Sequence, residues 1–377
     1  MKTITKLTYS SLFILVLFSL SVQVNAQNLI NAQNLTTPKT GSLPAEVSQT
    51  VGLTEITVNY SRPNIIAPNG TDRSGKIWGQ LVPYGFSKTQ FGNQGMIPWR
   101  AGANENTTIT FSNDVKVEGK DLKSGTYGLH MAVYEEGKVT VIFSNNSTSW
   151  GSYFYDDNED ELRVDVMSTS TSKTELLTFD FLETGNNYTV LALKWDEKQI
   201  PFRIDVDTHK HAINSFKEEL RGLSAFGWQG FQTAANYCMQ NNTNLEQGLA
   251  WAEIATQRNP VFQTLTTKAG ILNALGKTSE ASAIYEKAGE NATISQINAL
   301  GYQFLGTKQY DKVIEYFKKN VKNDPTNPNS YDSLGDGYKA IGDTKNAIKN
   351  YKKSLSLNPP ANIKAASEAS LRELGAL

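Results

Sequence analysis

The sequence predicts a two-part protein: an antiparallel β-sandwich of jelly-roll type, followed by an α-helical solenoid of paired helices. Three observations carry this expectation. Apolar residues alternate with period two between residues 45 and 207, the period changes to three and four from Thr208, and one pattern returns 34 residues after itself near the C-terminus. At 377 residues the chain also exceeds a single domain of about 100–200 residues. Its composition, 39% hydrophobic and 19% charged with one cysteine, is that of a core-forming protein and excludes collagen-like, low-complexity and disulfide-dense classes. Lys plus Arg (36) balance Asp plus Glu (37), so the basic excess that marks a nucleic-acid partner is missing.

In chain order, Lys2 and Lys6 precede an apolar run, Leu12 to Leu20, and Val24-Asn25-Ala26 offers a small-residue cleavage site. Residues 1–26 therefore read as a signal peptide, with the mature chain starting at Gln27. The run is too short to cross ~30 Å of hydrocarbon as a helix, and nothing later approaches about 20 uninterrupted apolar residues, so a membrane-embedded protein is not expected. Export with the lone Cys238, which has no intramolecular partner, suits a periplasm, with a secreted or outer-surface location as the other destinations.

A polar lead-in covers residues 27–44. The sandwich, residues 45–207, then shows alternation at Ile56/Val58/Tyr60, Ile109/Phe111, Val115/Val117, Tyr127/Leu129/Met131/Val133, Val139/Val141/Phe143, Leu162/Val164/Val166, Leu177/Phe179/Phe181, Leu191/Leu193/Trp195 and Ile200/Phe202/Ile204/Val206. These give about nine strands, joined by connections too short for crossover helices, hence antiparallel. Residues 208–227 read as a linker helix, with Ile213, Phe216, Leu220 and Leu223 on one face, and residues 228–377 as the helical repeat domain. The charge changes sign at this junction: residues 27–207 hold 15 basic and 22 acidic side chains, residues 208–377 hold 19 and 15.

In the repeat domain, Leu300, Gly301, Phe304, Phe317 and Pro325 recur as Leu334, Gly335, Tyr338, Tyr351 and Pro359. A two-helix unit of this length cannot bury its apolar stripe alone and stacks on copies of itself. The last copy should hold a helix from about Pro328 to Ile341, a stop at Gly342, a cap at Asp343 and a second helix ended by Pro359. Tyr331, Leu334-Gly335, Tyr338, Ala347, Tyr351, Ser354 and Pro359 resemble the tetratricopeptide repeat. Two degenerate earlier copies, around Leu265–Ala288 and Ala235–Pro260, give three to four units, and Ala361–Leu377 reads as a capping helix. The resemblance implies a concave face carrying Ser295, Asn298, Tyr302, Asn329, Asp332, Asp336 and Lys339, and a protein partner bound there. The paired Lys and Asn residues with which some such domains clamp a terminal carboxylate are absent, so that mode is not expected.

Unusual residues of the sandwich concentrate in loops: Arg62-Pro63, Trp78-Gly79, Val82-Pro83-Tyr84-Gly85, Trp99-Arg100-Ala101-Gly102-Ala103-Asn104, Gly125-Thr126-Tyr127-Gly128 and Trp150-Gly151. Together they resemble an exported family of Bacteroidetes known as domain of unknown function 2911, over about residues 45–206. The resemblance implies no particular activity. Relative to the family pattern, Phe86–Pro98 is an insertion between Val-Pro-Tyr-Gly and Trp-Arg, placed to cover or reshape whatever the loops form.

The loop residues offer recognisable chemistry. Arg62 and Arg100 carry guanidinium forks for a carboxylate or phosphate; Trp78, Tyr84, Trp99 and Trp150 carry flat faces for a sugar; Asn104 and Glu105 carry hydrogen-bonding groups. The opposing reading is that these tryptophans fill the sandwich ends while each Arg stacks on a ring or bonds a loop carbonyl. His130 lies beside Gly128 and Ala132 on the face opposite Leu129 and Met131. His209 and His211 lack a third ligand at metal spacing, and the acidic run Asp156–Glu161 lacks the glycine of a calcium loop, so no metal or cofactor is expected. Nucleophile elbow, phosphate loop, zinc-protease and dinucleotide signatures are all missing. Three readings remain: an exported interaction scaffold whose sandwich recognises an envelope ligand while the repeats hold a protein; a carbohydrate-binding module; and a hydrolase using loop carboxylates with His130.

Overall fold

The computed structural model describes residues 41–377. The expected signal peptide and the lead-in as far as residue 40 lie outside the described residues. The described residues divide into two compact units, one ending at Val206 and the other running Asp207–Leu377.

The first unit holds β1 (Leu43–Val51), β2 (Thr54–Arg62), β3 (Ser87–Lys88), β4 (Met96–Ile97), β5 (Thr108–Phe111), β6 (Val115–Val117), β7 (Lys120–Leu122), β8 (Gly125–Val133), β9 (Lys138–Ser144), β10 (Asp160–Met167), β11 (Thr169–Thr184) and β12 (Tyr188–Asp205). A six-stranded sheet runs β1-β2-β5-β8-β9-β10, a four-stranded sheet runs β11-β12-β6-β7, and β3 with β4 forms a separate hairpin. All the pairings are antiparallel. Most neighbours are hairpin partners, so local pairing, more than the long crossings of a jelly roll, builds this sandwich.

The inward residues of the two sheets meet in one core. Phe143 of β9 packs edge-on against Phe202 of β12 with centroids 6.1 Å apart, and Tyr60 of β2 packs on Phe179 of β11 at 4.9 Å. The Tyr60 hydroxyl also accepts the Phe179 N–H at 3.2 Å, tying the sheets together by a polar contact inside the apolar layer. Removing such rings from water stabilises the fold by roughly 1.5–3 kcal/mol each.

Strands β1, β3, β4 and β7 fall outside the nine expected runs, and two expected strands are one. β1 lies at the sheet edge, where its residues alternate between half-buried and exposed, so Leu-Pro-Ala-Glu-Val-Ser-Gln-Thr-Val carries little apolar signal and Pro44 is tolerated. The expected strands at Leu191–Trp195 and Ile200–Val206 are one strand, β12. Asp196, at φ +54°, makes an irregularity there that passes for a turn in the sequence, yet its buried carboxylate accepts the Gly75 N–H at 3.0 Å and the ladder continues.

The second unit comprises ten helices among the described residues: α1 (Thr208–Glu219), α2 (Gln229–Gln240), α3 (Leu245–Arg258), α4 (Phe262–Ala274), α5 (Thr278–Ala288), α6 (Ile294–Gly306), α7 (Tyr310–Asn323), α8 (Pro328–Ala340), α9 (Thr344–Ser356) and α10 (Ala361–Glu373). From α2 onward they pack as successive pairs. The 34-residue repeat has one physical cause. A Cβ on Gly301 of α6 would lie 2.3 Å from the Phe317 ring of α7, and a Cβ on Gly335 of α8 would lie 2.6 Å from the Tyr351 ring of α9. Each glycine lets an aromatic ring rest on helix backbone. Gly248 of α3 admits Cys238 of α2 in the same way, and burial pushes that thiol up to about 11, leaving it an inert filler. Asp343 caps α9 by accepting the Asn346 N–H, and Gly342, at φ +77°, turns the chain between the helices.

Candidate functional site

Most of the loop residues singled out in the sandwich are held by the fold itself. Trp78 and Trp99 pack against the buried Trp195: Trp99 stacks on it at 6.1 Å, and Trp78 meets both rings edge-on at 5.7 and 6.2 Å. The Trp99 indole donates to the Gly102 carbonyl. Arg62 donates to the Leu177 carbonyl at 2.9 Å and the Thr178 hydroxyl at 2.6 Å, fastening β2 to β11. The Tyr84 ring lies over Gly79, whose φ of +82° and missing Cβ admit it. Asn104, at φ +59°, donates to the Ser42 carbonyl, and Glu105 accepts from Ser61. Trp150 is the outlier, 54% exposed.

Arg100 sits differently. Its guanidinium stacks on the Tyr153 ring, 4.6 Å from the centroid, with the backbone of Gly151 against it, and Nη1 donates to the Asn104 carbonyl at 2.6 Å. Beside it lies a cavity of about 370 Å³, lined by residues of the β3–β4 hairpin segment (Ser87 to Phe91, Ile97, Pro98) and by Trp99, Arg100, Ser152 and Tyr153. The hairpin thus forms a wall of the cavity. It is pinned there by the Asn93 N–H on the Tyr153 carbonyl at 3.0 Å and by Gly92, where a Cβ would lie 1.9 Å from that same carbonyl oxygen. A second cavity, about 490 Å³, lies on the hairpin's other side between Met96, Tyr155 and Arg163.

His130 is buried behind the first cavity. Its Nδ1 is 2.9 Å from the Ser152 hydroxyl, and its ring packs edge-on against Tyr155. Burial, reinforced by the positive charge of Arg100, lowers its pKa to about 4, so the imidazole is neutral at physiological pH. The structure puts His130 with Ser152, and Glu105 with Ser61. Tyr155 donates to Asp160 at 2.6 Å, and Arg163 clasps both, donating to the Asp160 carboxylate and the Tyr155 hydroxyl. Asp160 belongs to this knot and Asp156 caps a single 3₁₀ turn. Among the described residues no group of three or more His, Cys, Asp and Glu side chains is arranged to hold a metal ion.

In the array, the predicted concave residues form a network that links successive helices. Tyr302 of α6 donates to Asp336 of α8 at 2.8 Å and lies 3.2 Å from the Ser333 hydroxyl; Tyr351 of α9 donates to the other Asp336 oxygen at 2.7 Å. Asp332 accepts from Ser367 of the capping helix α10, and burial raises its pKa to about 6, with the Asp336 charge adding to the shift. Lys339 pairs with Glu373, Asn298 accepts from Asn320, and the backbone N–H of Asn329 caps onto Asn327. Ser295 is exposed, and Tyr302 remains 39% exposed.

The comparisons with known proteins bear on each unit. Residues 42–204 match the family described as "Protein of unknown function (DUF2911)". Residues 328–360 match the tetratricopeptide repeat. A search of curated proteins finds no match. Among solved structures, MamA from Desulfovibrio magneticus RS-1 (residue 41 to its end) is 17% identical, covering 41% of this chain and 96% of that one at a TM-score of 0.30. The APC/C hetero-tetramer Cut9-Hcn1 is 15% identical, covering 44% of this chain and 33% of that one at a TM-score of 0.33.

Within the DUF2911 segment, residue patterns singled out Trp99, Arg100 and His130 but missed Lys88, Phe91, Ser152 and Tyr153, which complete the cavity. Lys88 and Phe91 lie in the β3–β4 hairpin segment, where no periodicity marks a face. Ser152 and Tyr153 follow the exposed Trp150 and the buried Gly151, and only the glycine hints that something packs there. In the tetratricopeptide array, helical spacing places Asp332 and Asp336 on the open face, but it does not say that a tyrosine one repeat away will consume a carboxylate.

Proposed function

We propose that this chain is an exported interaction scaffold, in which the tetratricopeptide array binds a protein partner and the DUF2911 sandwich recognises a small ligand of the cell envelope. The tetratricopeptide match at residues 328–360, within a stack of helix pairs, carries the reading, since such stacks present extended surfaces suited to protein partners. The export half rests on the signal-like pattern of Lys2, Leu12–Leu20 and Ala26.

Affinity capture from envelope extracts tests it, comparing the chain from Gln27 with a version ending at Asp207. Each unit has its own hydrophobic core, which supports using the shorter chain as a control. One protein recovered by the full chain and lost from the short one is the expected result. Equal recovery by both, or recovery of no protein, would overturn the partner-binding role of the array. Detection of the full-length precursor in the cytosol with an intact N-terminus would overturn export.

A further inference from the structure

We propose that the cavity beside the β3–β4 hairpin binds an acidic sugar ring of the hexuronate class, its carboxylate held by Arg100 and Lys88 and its apolar face resting on Phe91. This deepens the reading of the sandwich as the ligand-recognising half and rests on it. Five features converge. The volume, about 370 Å³, falls in the range of small-molecule sites. Two cations, Lys88 and Arg100, line it, and no Asp or Glu does. In a concave site these charges focus their field, and the field is already felt inside the protein, where Arg100 helps hold His130 neutral.

Arg100 is also held in place, stacked on Tyr153 and backed by Gly151, so little side-chain entropy is lost when its guanidinium receives a carboxylate. Around the cations, Ser87 and Gln90 supply a hydroxyl and an amide, partners that a polyhydroxylated ring needs. Phe91 lines the same cavity while remaining 70% exposed, an unusual position for a phenylalanine, and its ring offers a flat apolar surface beside Tyr153. The β3–β4 hairpin segment brings Lys88 and Phe91 together, so the specificity belongs to that segment.

Calorimetric titration of the full chain with galacturonate, its neutral methyl ester, galactose and inorganic phosphate tests the proposal. Galacturonate should bind, with the ester and galactose each about tenfold weaker, as expected for loss of a charge-assisted contact. Lys88→Glu and Phe91→Ala, both at exposed positions, should each weaken galacturonate by about fivefold to tenfold while leaving the melting temperature unchanged. Equal binding of acid, ester and galactose would overturn the acidic-sugar site but leave a sugar-recognising sandwich standing. Phosphate binding as tightly as galacturonate would overturn the ring contact. Failure of all four probes to bind would overturn this site alone, because the small-ligand reading of the sandwich names no sugar, and the partner-capture result stands apart from either.

Discussion

In the sandwich, the contacts that close the fold join distant parts of the chain: Arg62 reaches the Leu177 carbonyl, the Ile65 N–H reaches Glu175, and Phe143 packs on Phe202. In the array, Gly301 receives Phe317 and Gly335 receives Tyr351, the same sixteen-residue reach repeated one unit later. The difference teaches where cooperativity resides. Damage to the sandwich core must loosen both sheets together, whereas damage to one helix pair is shared mainly with its neighbours. The units also carry one buried group each whose protonation burial shifts strongly: His130 in the sandwich, held neutral, and Asp332 in the array, its carboxyl raised.

The sharpest way to break this comparison is Phe143→Ala. Emptying a fully buried ring site should destabilise the sandwich by about 3–5 kcal/mol and lower amide protection in both of its sheets. Hydrogen exchange read segment by segment checks it, and loss confined to β8–β10 would refute the cooperative picture. A pH series comes next. His130 titrates near 6.5 when unfolded and at about 4 when folded, so the folded state resists the proton, and stability falls as pH drops from about 6.5 to 4. At about 1.4 kcal/mol per unit the loss is about 3 kcal/mol, and it should be missing from the stability profile of His130→Asn.

Asp332 has the opposite sign. Its folded value, about 6, lies above the unfolded 3.8, so the protonated form is favoured in the fold; the array is most stabilised below pH 4 and loses about 2–3 kcal/mol as pH rises through 6. Melting the wild type against Asp332→Asn across pH 4 to 7 measures this, and parallel curves would show that the carboxyl does not titrate as described. Gly335→Ala should cost about 1–3 kcal/mol by driving a methyl into the Tyr351 ring, with lost protection limited to α8–α10. Smallest is Tyr302→Phe, which removes the hydroxyl bonded to Asp336 and should cost about 1 kcal/mol, visible as earlier exchange of α6 and α8.

Much of the fold was legible because burial imposes periods. Val139, Val141 and Phe143 alternate since one face of β9 is core, and Leu300, Gly301, Phe304 and Phe317 repeat since every helix pair solves the same packing problem. β1 was illegible because an edge strand needs no apolar stripe, and the joint in β12 because Asp196 resembles a turn residue until its carboxylate is seen bonded to Gly75. The candidate site was half legible. Tryptophans that look alike in sequence part company in three dimensions: Trp78 and Trp99 pack on Trp195, while Trp150 stays exposed.

By itself the sequence determined the order of the two units, the antiparallel sandwich and the stacked helix pairs, because these follow from where apolar residues fall along the chain. Only the tertiary structure decided which polar groups are committed to the fold and which line a cavity. Asp336 is taken by Tyr302 and Tyr351, Arg62 by Leu177 and Thr178, whereas Arg100 and Lys88 meet at one hollow through a hairpin folded over a loop some sixty residues away. The physical reason is that burial is one-dimensional enough to leave a period, but the pairing of charges and hydrogen bonds depends on distances that the order of residues does not contain.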